Sequence, residues 1–497
     1  MAEIEKKDLY DYQTESIAEI FSYIDSYQGE NKNLLFQLPT GGGKTVIFSE
    51  IARRFVENRN EKVLILTHRI ELSRQTSNML SKFGVENLVI ESSVKKLPQP
   101  NPYHCYVAMV ETLNNRLNDK DMSMKDIGLV IIDEAHYNSF TKLFKFFHYT
   151  MILGVTATPL SSNIKLPMND NYDDLIVGPQ INDLIKNEFL AEADIEVYNV
   201  GLGSLKVGMN GDYTVSSSDR LYADFNMRSL LLRAYKEKAL GTKTLIFNNG
   251  IKTSQQVYLT FKEAGFDIRH LDNKNSAKER RSILKWFKET PDAILTSVSI
   301  LTTGFDEPTI DTIIMNRATK SLTLYFQMIG RGSRILGNKK KFTIIDLGNN
   351  VARFGPWNAP VDWQKIFKSP DLFYQNLVLD EDIERQFRYV MPDELREKFA
   401  NTDEVTFDIY EEYNKNVAKH GRPTEVLEKS LEQHISMIKE NAPDLLTALG
   451  LARLLEHDIS QRIKHYSYCI TKSTLNYRRW LRDDYTSKLK SRLMKEY

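Results

Sequence analysis

The stretch Pro39-Thr40-Gly41-Gly42-Gly43-Lys44-Thr45 closely follows the apolar run Leu34-Leu35-Phe36. A glycine-rich turn between a strand and a helix points successive backbone N–H groups at a phosphate chain. In such a loop the lysine, here Lys44, reaches the β- and γ-phosphates, and the hydroxyl of Thr45 binds Mg²⁺. The stretch therefore predicts a nucleotide-binding loop with a cradle formed by Thr40, Gly41, Gly42, Gly43, Lys44 and Thr45.

An acidic stretch, Asp133-Glu134-Ala135-His136, follows a second apolar run, Leu129-Val130-Ile131-Ile132. A carboxylate at the end of a buried strand can complete a Mg²⁺ site, with Thr45 and Asp133 as the protein ligands. A glycine-rich loop alone could arise by chance. Together, the two stretches predict a site for ATP and Mg²⁺.

The composition is that of a multi-domain globular protein. Its 497 residues suggest about three domains, and 41% are hydrophobic while 27% are charged. No apolar run approaches the ~20 residues that span a membrane, and the polar start lacks the apolar core of a signal peptide. A cytoplasmic protein is therefore expected. Cys105 and Cys469 are too few and too far apart for a disulfide framework or a cysteine-based zinc site.

Charge is balanced overall but uneven along the chain. Lys and Arg together number 66, as do Asp and Glu, so no net field attracts nucleic acid. Between Gln461 and Tyr497 we count ten basic and three acidic residues. The C-terminal end is therefore the basic part of the chain.

Short apolar runs alternate with amphipathic stretches in two separate series. Continuous apolar strands separated by helices argue for parallel sheets covered on both faces, and thus for an α/β fold. The first series predicts helices at 45–58 and 70–83 and strands at 34–38, 63–66, 106–110, 129–132 and 152–155. The second series predicts strands at 244–247, 268–271, 293–296, 312–315 and 342–345.

A polar stretch from Gly201 to Asp219 separates the two series and predicts the connection between two lobes. After about Trp363 the strand pattern stops, and Asp380 to Tyr497 has a mainly helical pattern. The predicted domains are a first ATP-binding lobe at 1–200, a linker at 201–225, a second lobe at 226–365 and an accessory helical region at 366–497.

Two further groups bear on nucleotide binding. Gln13 lies on a predicted helix before the phosphate loop, where its carboxamide could pair with the N6/N7 edge of adenine. A glutamine on a helix is more often simply solvated. Thr156-Ala157-Thr158-Pro159 ends a strand with two hydroxyls that could contact Asp133 or His136, although a plain turn is the alternative.

The second lobe contains Gln327-Met328-Ile329-Gly330-Arg331-Gly332-Ser333-Arg334. If this segment is helical, Arg331 and Arg334 share one face, and their planar guanidinium groups suit phosphate oxygens. Across a cleft from Lys44, they would stabilise charge on the γ-phosphoryl group as arginine fingers. A solvated basic helix is the alternative, although Gly330 and Gly332 favour a close backbone approach.

Nine stretches, taken in chain order, resemble the successive motifs of superfamily 2 helicases. They are Gln13, PTGGGKT, Thr67-His68-Arg69, Glu111-Thr112, DEAH, TAT, Leu245-Ile246-Phe247, Thr302-Thr303-Gly304-Phe305-Asp306 and QMIGRGSR. Within that superfamily the chain is similar to the RadD and type III restriction-subunit-like branch. The stretches that carry this narrower similarity are Asp174 to Pro179, Gly211-Asp212-Tyr213, Gly304 to Pro308 and Asp346 to Asn349.

The resemblance covers residues 8 to 365 and implies two tandem RecA-like lobes of the P-loop NTPase type. It implies that Glu134 orients or deprotonates the attacking water, and that Gln13 reads adenine. The catalytic residues that it implies are Lys44, Asp133, Glu134, His136, Arg331 and Arg334. Gly304 and Asp306 would join the nucleotide site, while backbone contacts with nucleic acid would come from Arg69, Thr112 and Thr303.

The sequence departs from the family pattern at three points. Leu38 stands where the phosphate loop usually begins with Gly or Ala, and Tyr10 stands where the family usually has Arg. The two distant cysteines cannot supply the zinc segment that RadD-like proteins often carry.

The C-terminal region gives weaker signals. Pro370-Asp371 and Pro392-Asp393 are not followed by an Asp/Glu-x-Lys pattern before residue 425, so nuclease activity is not expected. Aromatic and basic residues interleave at Tyr466, Tyr468, Lys472, Tyr477, Arg478, Arg479, Trp480 and Arg482. This pattern suits either stacking on exposed bases or an amphipathic helix with a buried aromatic face.

The leading hypothesis is an ATP-dependent helicase or translocase acting on DNA in repair, recombination or replication-fork processing. ATP binding would close the cleft and hydrolysis would reopen it, shifting one lobe along the strand. An ATP-gated clamp or branch-binding ATPase that leaves the strands together is one alternative, and an RNA helicase is another. Family resemblance alone favours DNA. A monomer without membrane association is expected, with a single-strand-binding or repair protein as a candidate partner.

Overall fold

The computed structural model describes residues 9–27, 30, 32–124, 126–298, 301, 305, 307–380, 382–383, 391–419, 421–470 and 475–497. The chain forms two compact units, Met1–Val378 and Leu379–Tyr497. None of the described helices combines the length and apolar character that a membrane crossing requires.

The first unit begins with a seven-stranded parallel sheet in the order β3-β4-β2-β5-β6-β1-β7. Its strands are β1 (Asn33–Gln37), β2 (Lys62–Thr67), β3 (Asn87–Ile90), β4 (Cys105–Met109), β5 (Ile127–Asp133), β6 (Met151–Thr156) and β7 (Asp174–Val177). The helices along this part are α1 (Asp11–Ser26), α2 (Lys44–Arg59), α3 (Ile70–Lys82), α4 (Val110–Asn118), α5 (Thr141–Phe144) and α6 (Ile181–Lys186).

The central strands of this sheet carry apolar residues on both faces, and both faces are buried. Leu34 and Phe36 point into one hydrophobic cluster, while Leu35 between them points into another. Successive side chains of a strand face opposite sides, so a continuous apolar run needs helices on both faces.

The second lobe is a six-stranded parallel sheet in the order β10-β11-β9-β12-β13-β8. Its strands are β8 (Glu192–Val197), β9 (Thr244–Asn248), β10 (Ile268–Leu271), β11 (Ile294–Val298), β12 (Thr312–Asn316) and β13 (Lys341–Asp346). The helices are α7 (Val215–Tyr222), α8 (Phe225–Lys238), α9 (Ile251–Glu263), α10 (Ala277–Glu289), α11 (Leu322–Ile329), α12 (Asn350–Phe354), α13 (Trp363–Lys368) and α14 (Pro370–Gln375).

The two parallel-sheet lobes confirm the predicted fold class, and every predicted strand is present. Three strands were missed: β3, β7 and β8. All three lie at sheet edges, where one side of the strand has no partner and polar residues are tolerated. Strand β8 reads Glu-Ala-Asp-Ile-Glu-Val, so its sequence lacks the apolar run that identified the central strands.

The predicted boundary at residue 200 assigned β8 to the first lobe, but β8 pairs with β13 in the second sheet. The predicted linker 201–225 is also ordered and contains α7. Its residues Leu202, Tyr213 and Tyr222 are buried in the core of the second lobe. The polar composition of this stretch hid its few large buried side chains.

The chain crosses between the two lobes a second time after β13. Gln364 of α13 donates a hydrogen bond from Nε2 to the carbonyl of Leu175 in β7, at 2.6 Å. The side chain of Gln180 pairs with the backbone of Val361 in both directions, at 3.0 and 3.3 Å. Trp363 packs against Phe326 of α11, with ring centroids 5.8 Å apart.

The second unit is helical, as predicted for the C-terminal region. Its helices are α15 (Asp393–Arg396), α16 (Ile409–Ala418), α17 (Glu425–Asn441), α18 (Leu445–Leu454), α19 (Glu456–Cys469) and α20 (Leu475–Glu496). Of the interleaved aromatic residues, Tyr466 is buried in the core of this unit, beside Tyr485 from farther along the chain. Trp480 is 57% exposed and stacks on Tyr477 with ring centroids 5.7 Å apart.

Candidate nucleotide site between two lobes

The phosphate loop connects β1 to α2, and two of its glycines have backbone conformations that suit glycine alone. Gly41 has φ of 88° and Gly43 has φ of 85°, both in the left-handed region. A Cβ atom on Gly41 would also lie 2.9 Å from Leu190 Cδ2. The spacing of the glycines therefore fixes the curved path that ends at Lys44, the first residue of α2.

Lys44 stands at the centre of a group of ionisable side chains. Its Nζ donates to the carbonyl of Leu38 at 3.3 Å, within the loop itself. Burial lowers the pKa of Lys44, while the nearby carboxylates of Glu134 and Asp133 oppose that shift. An anionic ligand at the loop would add further stabilisation to this ammonium group.

Asp133 is the last residue of β5, and both Asp133 and Glu134 are buried. Burial raises the pKa of Asp133 to about 7, and the neighbouring charge of Glu134 adds to the shift. The pKa of Glu134 is lowered despite its burial, because the positive charges of Lys44 and Arg331 lie nearby. Glu134 therefore keeps an ionised carboxylate in the cleft.

Glu134 has a strained backbone, with φ of 52° in the left-handed region. Its N–H donates to Asp133 Oδ1 at 3.0 Å, which helps to hold this turn. Non-glycine residues in such conformations cluster at functional sites, where the surrounding structure maintains them.

His136 links the acidic stretch to Thr156 and to the second lobe. Thr156 Oγ1 donates to the carbonyl of Thr158 at 2.9 Å, so its lone pairs are left to accept from His136 Nδ1 at 3.1 Å. His136 Nε2 is then an acceptor for the Nε2 amide of Gln327, at 3.3 Å. Burial lowers the pKa of His136, consistent with a neutral ring.

The predicted contact of the TAT stretch is thus present at Thr156. Thr158 reaches further, because its hydroxyl donates to Thr323 Oγ1 in α11 at 2.8 Å. The two hydroxyls of this strand end therefore contact the acidic stretch and the second lobe, respectively.

Arg331 and Arg334 do not lie on a helix, contrary to the geometry that the spacing suggested. Helix α11 ends at Ile329, so Arg331 lies in the following turn and Arg334 in an antiparallel bridge with Leu190. The physical reason is Gly330 and Gly332, which are poor helix formers. At Gly330 a Cβ would lie 2.5 Å from Thr40 Cβ, so the turn packs directly on the phosphate loop.

Both arginines nevertheless face the predicted site. Burial lowers the pKa of Arg331 to about 10, with the Glu134 carboxylate acting in the opposite direction. Arg331 Nη1 also donates to the carbonyl of Phe305 at 2.6 Å. Burial lowers the pKa of Arg334 to about 10 as well, and the charges of both arginines act on Lys44.

Gln13 is buried against the phosphate loop, and both ends of its amide are engaged. Oε1 accepts from the N–H of Tyr10 at 3.1 Å, and Nε2 lies 3.4 Å from Tyr12 Oη. Tyr12 in turn donates to the carbonyl of Gly42 at 2.8 Å. Phe189 packs on the rings of Tyr10 and Tyr12, at 4.5 and 5.0 Å.

Sequence reasoning missed Tyr12, Phe189 and Leu190 as neighbours of the loop. Tyr12 adjoins Gln13 and could have been suspected from that position. Phe189 and Leu190 lie in the crossover between the lobes, where no local pattern marks them.

The chemistry of the site fits ATP with Mg²⁺. Among the described residues, Thr40 Oγ1 and Glu134 Oε2 are buried without a hydrogen bond. Such atoms are costly unless a ligand or water satisfies them. Thr45 and Asp133 offer the hydroxyl and carboxylate oxygens that Mg²⁺ accepts alongside phosphate oxygens and water.

The predicted nucleic-acid contacts are described only in part. Arg69 precedes α3, which follows β2, and Thr112 lies in the first turn of α4, which follows β4. Both therefore lie at the carboxyl edge of the first sheet. Thr303, Gly304 and Asp306 fall outside the described residues.

Two family models match the chain. Residues 6–161 match the type III restriction enzyme res subunit, and residues 226–336 match the helicase conserved C-terminal domain. The chain belongs to the superfamily 2 helicases. It falls in their type III restriction-like branch, and as a helicase-family protein it is an ATP-hydrolysing enzyme.

Two curated relatives match about two thirds of the chain. A 51.5 kDa protein of a Lactococcus phage is 29% identical over 343 residues, which cover 67% of this chain and 70% of that protein. A Saccharomyces cerevisiae protein assigned as an ATP-dependent helicase, IRC3, is 30% identical over 365 residues. That match covers 68% of this chain, which spans only about half the length of the yeast protein.

A solved structure supports the fold. It is a fragment described as an HsdR subunit of a type I restriction enzyme from Vibrio vulnificus, with a TM-score of 0.54 and 21% identity. The match covers 70% of this chain and 66% of that fragment. The predicted superfamily and enzyme class are confirmed by the two family models and the helicase relative, and the predicted fold by this structure.

Proposed function

We propose that the chain is a motor that couples ATP hydrolysis to movement along DNA. The observation that carries the proposal is the direct packing of the arginine-bearing turn on the phosphate loop. Gly330 meets Thr40, while Arg331 and Arg334 bring charge to Lys44 from the other lobe. A site built from both lobes is sensitive to their separation.

The residue roles follow from the chemistry of phosphoryl transfer. When bound, ATP with Mg²⁺ supplies a phosphoanhydride bond whose hydrolysis releases free energy. Lys44 holds the phosphates, and the ionised carboxylate of Glu134 orients or deprotonates a water. Arg331 and Arg334 stabilise negative charge at the γ-phosphoryl position, provided that the cleft is closed. Gln13, held against the loop, reads the adenine edge.

Movement follows if both lobes grip the nucleic-acid backbone. Arg69 and Thr112 would contact phosphates from the first lobe, and Thr303 from the second. Closing the cleft then shortens the distance between the two grips, and opening it restores that distance. A ligand that binds the closed state better drives this shift by its difference in affinity.

DNA is favoured as the track because one of the two matching family models, that of residues 6–161, describes a restriction-enzyme subunit, and restriction enzymes act on DNA. We place the work of the chain in DNA repair, recombination or replication-fork processing, as a cytoplasmic monomer. Backbone contacts alone do not distinguish DNA from RNA. The substrate therefore has to be tested directly.

The test compares ATPase activity with single-stranded DNA, duplex DNA, forked DNA and RNA. Because phosphate contacts release counterions, each stimulation should be measured at about 50 and 200 mM salt. We expect DNA to stimulate turnover more than RNA, with weaker stimulation at high salt. Equal stimulation by RNA would overturn the preference for DNA.

Variants test the site itself. Lys44→Ala and Arg334→Ala should abolish turnover while leaving the fold intact, since an arginine finger alone contributes about 10³ to 10⁵ in rate. Lys82→Ala and Arg281→Ala replace exposed residues of the same lobes and serve as matched controls. Turnover like that of the wild type in either site variant would contradict the assignment.

A further inference from the structure

A short hairpin, Lys206 to Thr214, projects from the segment that precedes α7. Val207 and Tyr213 form an antiparallel bridge. The N–H of Gly208 donates to the carbonyl of Asp212 at 2.8 Å, and that of Thr214 donates to Lys206 at 2.8 Å. The turn at the tip contains Met209, whose side chain is fully exposed.

The base of the hairpin is held rigidly through Asp212. Its carboxylate accepts a hydrogen bond from the hydroxyl of Thr319 at 2.7 Å and another from the N–H of Lys320 at 2.8 Å. Arg317 lies 3.6 Å away and is buried, so this ion pair is shielded from water. Charge-assisted bonds of this kind are stronger than neutral ones.

Tyr213 provides the second anchor. Its ring is buried, and its hydroxyl accepts from Arg353 Nη2 at 2.9 Å. The backbone carbonyl of Tyr213 accepts from Asn249 Nδ2 at 3.3 Å. The Gly211-Asp212-Tyr213 stretch that marks the family branch is thus the foot of the hairpin.

The tip contrasts with this polar, buried base. Met209 and Val207 are exposed, and so are Ile164 and Leu166 of the neighbouring loop after β6. Lys206 and Lys165 are exposed beside them. An apolar tip with lysines next to it combines a surface for bases with charge that suits phosphates.

The hairpin reaches from one lobe to the other. Its anchors Asn249 and Lys320 follow β9 and β12, so its foot lies at the carboxyl edge of the second sheet. At Gly211 a Cβ would lie 2.8 Å from Ile164 Cδ1, and φ there is 82°. Gly211 therefore both permits the turn and allows contact with the first lobe.

The loop that receives this contact lies near the predicted nucleic-acid side of the first lobe. Ser161 donates to Asn138 Oδ1 at 2.7 Å, which ties the loop to the segment after the acidic stretch. That segment leads into α5, where Lys142 pairs with Glu111, the neighbour of Thr112. A short series of contacts thus connects the hairpin to Thr112, which is predicted to contact the nucleic-acid backbone.

We propose that the hairpin Lys206 to Thr214 is a strand-separating pin that binds the first base pair of a DNA fork. The apolar Met209 side chain covers the exposed face of that pair, in the way that apolar wedges enter between base steps. Lys206 and Lys165 hold the adjacent phosphates. This proposal depends on the proposed motor function, because the motor drives the fork against the pin.

Substitutions in the pin should affect strand separation without affecting movement along DNA. In Met209→Ser the apolar cover is lost, so unwinding of a forked duplex should slow about tenfold, the order expected when one apolar side chain no longer covers the base pair. DNA-stimulated ATPase should be unchanged. Translocation, measured as displacement of streptavidin from a biotinylated single strand, should also be unchanged. Met209→Leu keeps an apolar tip and should unwind normally.

Met494→Ser is the matched control, since Met494 is also an exposed methionine but lies in α20 of the other unit. It should unwind forks like the wild type. Normal unwinding by Met209→Ser would overturn the pin, as would a wild-type protein that translocates without opening forks. A wild type whose ATPase does not respond to DNA would overturn the motor, and the pin with it.

Discussion

The nucleotide cleft and the helical unit each bury a cluster of ionisable side chains, but the two clusters differ in completeness. In the helical unit five polar side chains form a closed ring: Ser430, His434, Asp458, Arg462 and Tyr485. Among the described residues of the cleft, by contrast, Thr40 Oγ1, Glu134 Oε2 and both ring nitrogens of His68 have no hydrogen bond.

The direction of each proton in the ring can be assigned. Arg462 donates to Ser430 Oγ at 3.1 Å and to Asp458 Oδ2 at 2.6 Å. Ser430 then donates to Tyr485 at 2.9 Å, and Tyr485 donates to His434 Nδ1 at 2.9 Å. His434 Nε2 closes the ring on Asp458 at 2.6 Å. Each contact in the ring therefore has one donor and one acceptor.

The difference teaches how to read a buried charge. A network whose members satisfy one another specifies a packed core and needs nothing else. A network with unsatisfied buried atoms costs stability, so its persistence indicates a ligand that completes it. Both clusters contain side chains with strongly shifted pKa values. Only the hydrogen bonds that these side chains make distinguish one cluster from the other.

The largest effect is expected in the cleft. Glu134→Gln removes the carboxylate that acts on the water, so ATP turnover should fall by about 10² to 10⁴. The free energy of unfolding should fall only modestly, because Glu134 Oε2 makes no hydrogen bond within the described part of the chain and only its charge interactions with Lys44 and Arg331 are lost. Steady-state ATPase assays measure the turnover, and urea denaturation measures the free energy of unfolding. A large loss of stability with retained turnover would reverse the comparison.

A substitution in the ring of polar side chains should instead lower the stability of the helical unit and leave the nucleotide site intact. Arg462→Met leaves the Asp458 charge buried without its ion pair, so the helical unit should lose about 3 to 5 kcal/mol of stability. ATP binding at the first unit should persist. Arg453→Met, an exposed site in α18, is the control and should unfold like the wild type. Hydrogen exchange of α17 and α19 measures the loss, and unchanged protection would show that the ring is dispensable.

Acid should destabilise the ring over a defined range. Burial lowers the pKa of His434 to about 4, with the Arg462 charge adding to the shift. An unfolded histidine titrates near ~6.5, so between these values the unfolded chain binds more protons and stability falls as pH falls. At pH 5 the helical unit should be about 2 kcal/mol less stable than at pH 7.

Urea denaturation followed by hydrogen exchange of α17 peptides at the two pH values tests this expectation. Equal stability at pH 7 and pH 5 would mean that His434 takes up its proton as easily in the ring as in the unfolded chain.

The smallest expected effects on stability come from removing two hydroxyl groups, those of Thr40 and Ser430. Thr40→Val keeps the shape that packs on Gly330 but removes an unsatisfied buried hydroxyl, so stability should stay constant or rise by about 1 kcal/mol. Ser430→Ala breaks the ring and should cost about 1 to 3 kcal/mol. Thermal unfolding of both variants without nucleotide gives the comparison. A destabilised Thr40→Val would show that this hydroxyl is already satisfied.

The sequence specifies the site best where the chemistry is local. The phosphate loop and the acidic stretch each lie within a few residues, so their spacing predicts the geometry of Lys44 and Asp133. Gly330 and Gly332 lie in the same short segment as Arg331 and Arg334. The expectation of a helix there gave too little weight to the tendency of these glycines to end a helix. Propensity against helix prevailed over the spacing of the two arginines.

The sequence is less informative where a residue acts through distant partners. Strand β8 has a polar sequence because it lies at a sheet edge, and its pairing with β13 is not marked in its own residues. The aromatic and basic pattern near the C-terminus divides in the structure, since Tyr466 is core while Trp480 is exposed. Burial of this kind depends on helices that are far apart in the chain.

The double crossing between the lobes concentrates their covalent connections in one place. Gln180 in the first crossing exchanges two hydrogen bonds with the backbone of Val361 in the second, so the two connecting segments lie side by side. Two adjacent connections act together as one hinge, about which one lobe can rotate against the other. An opening of the cleft would therefore separate Thr40 from Gly330 while Gln180 and Val361 stay paired.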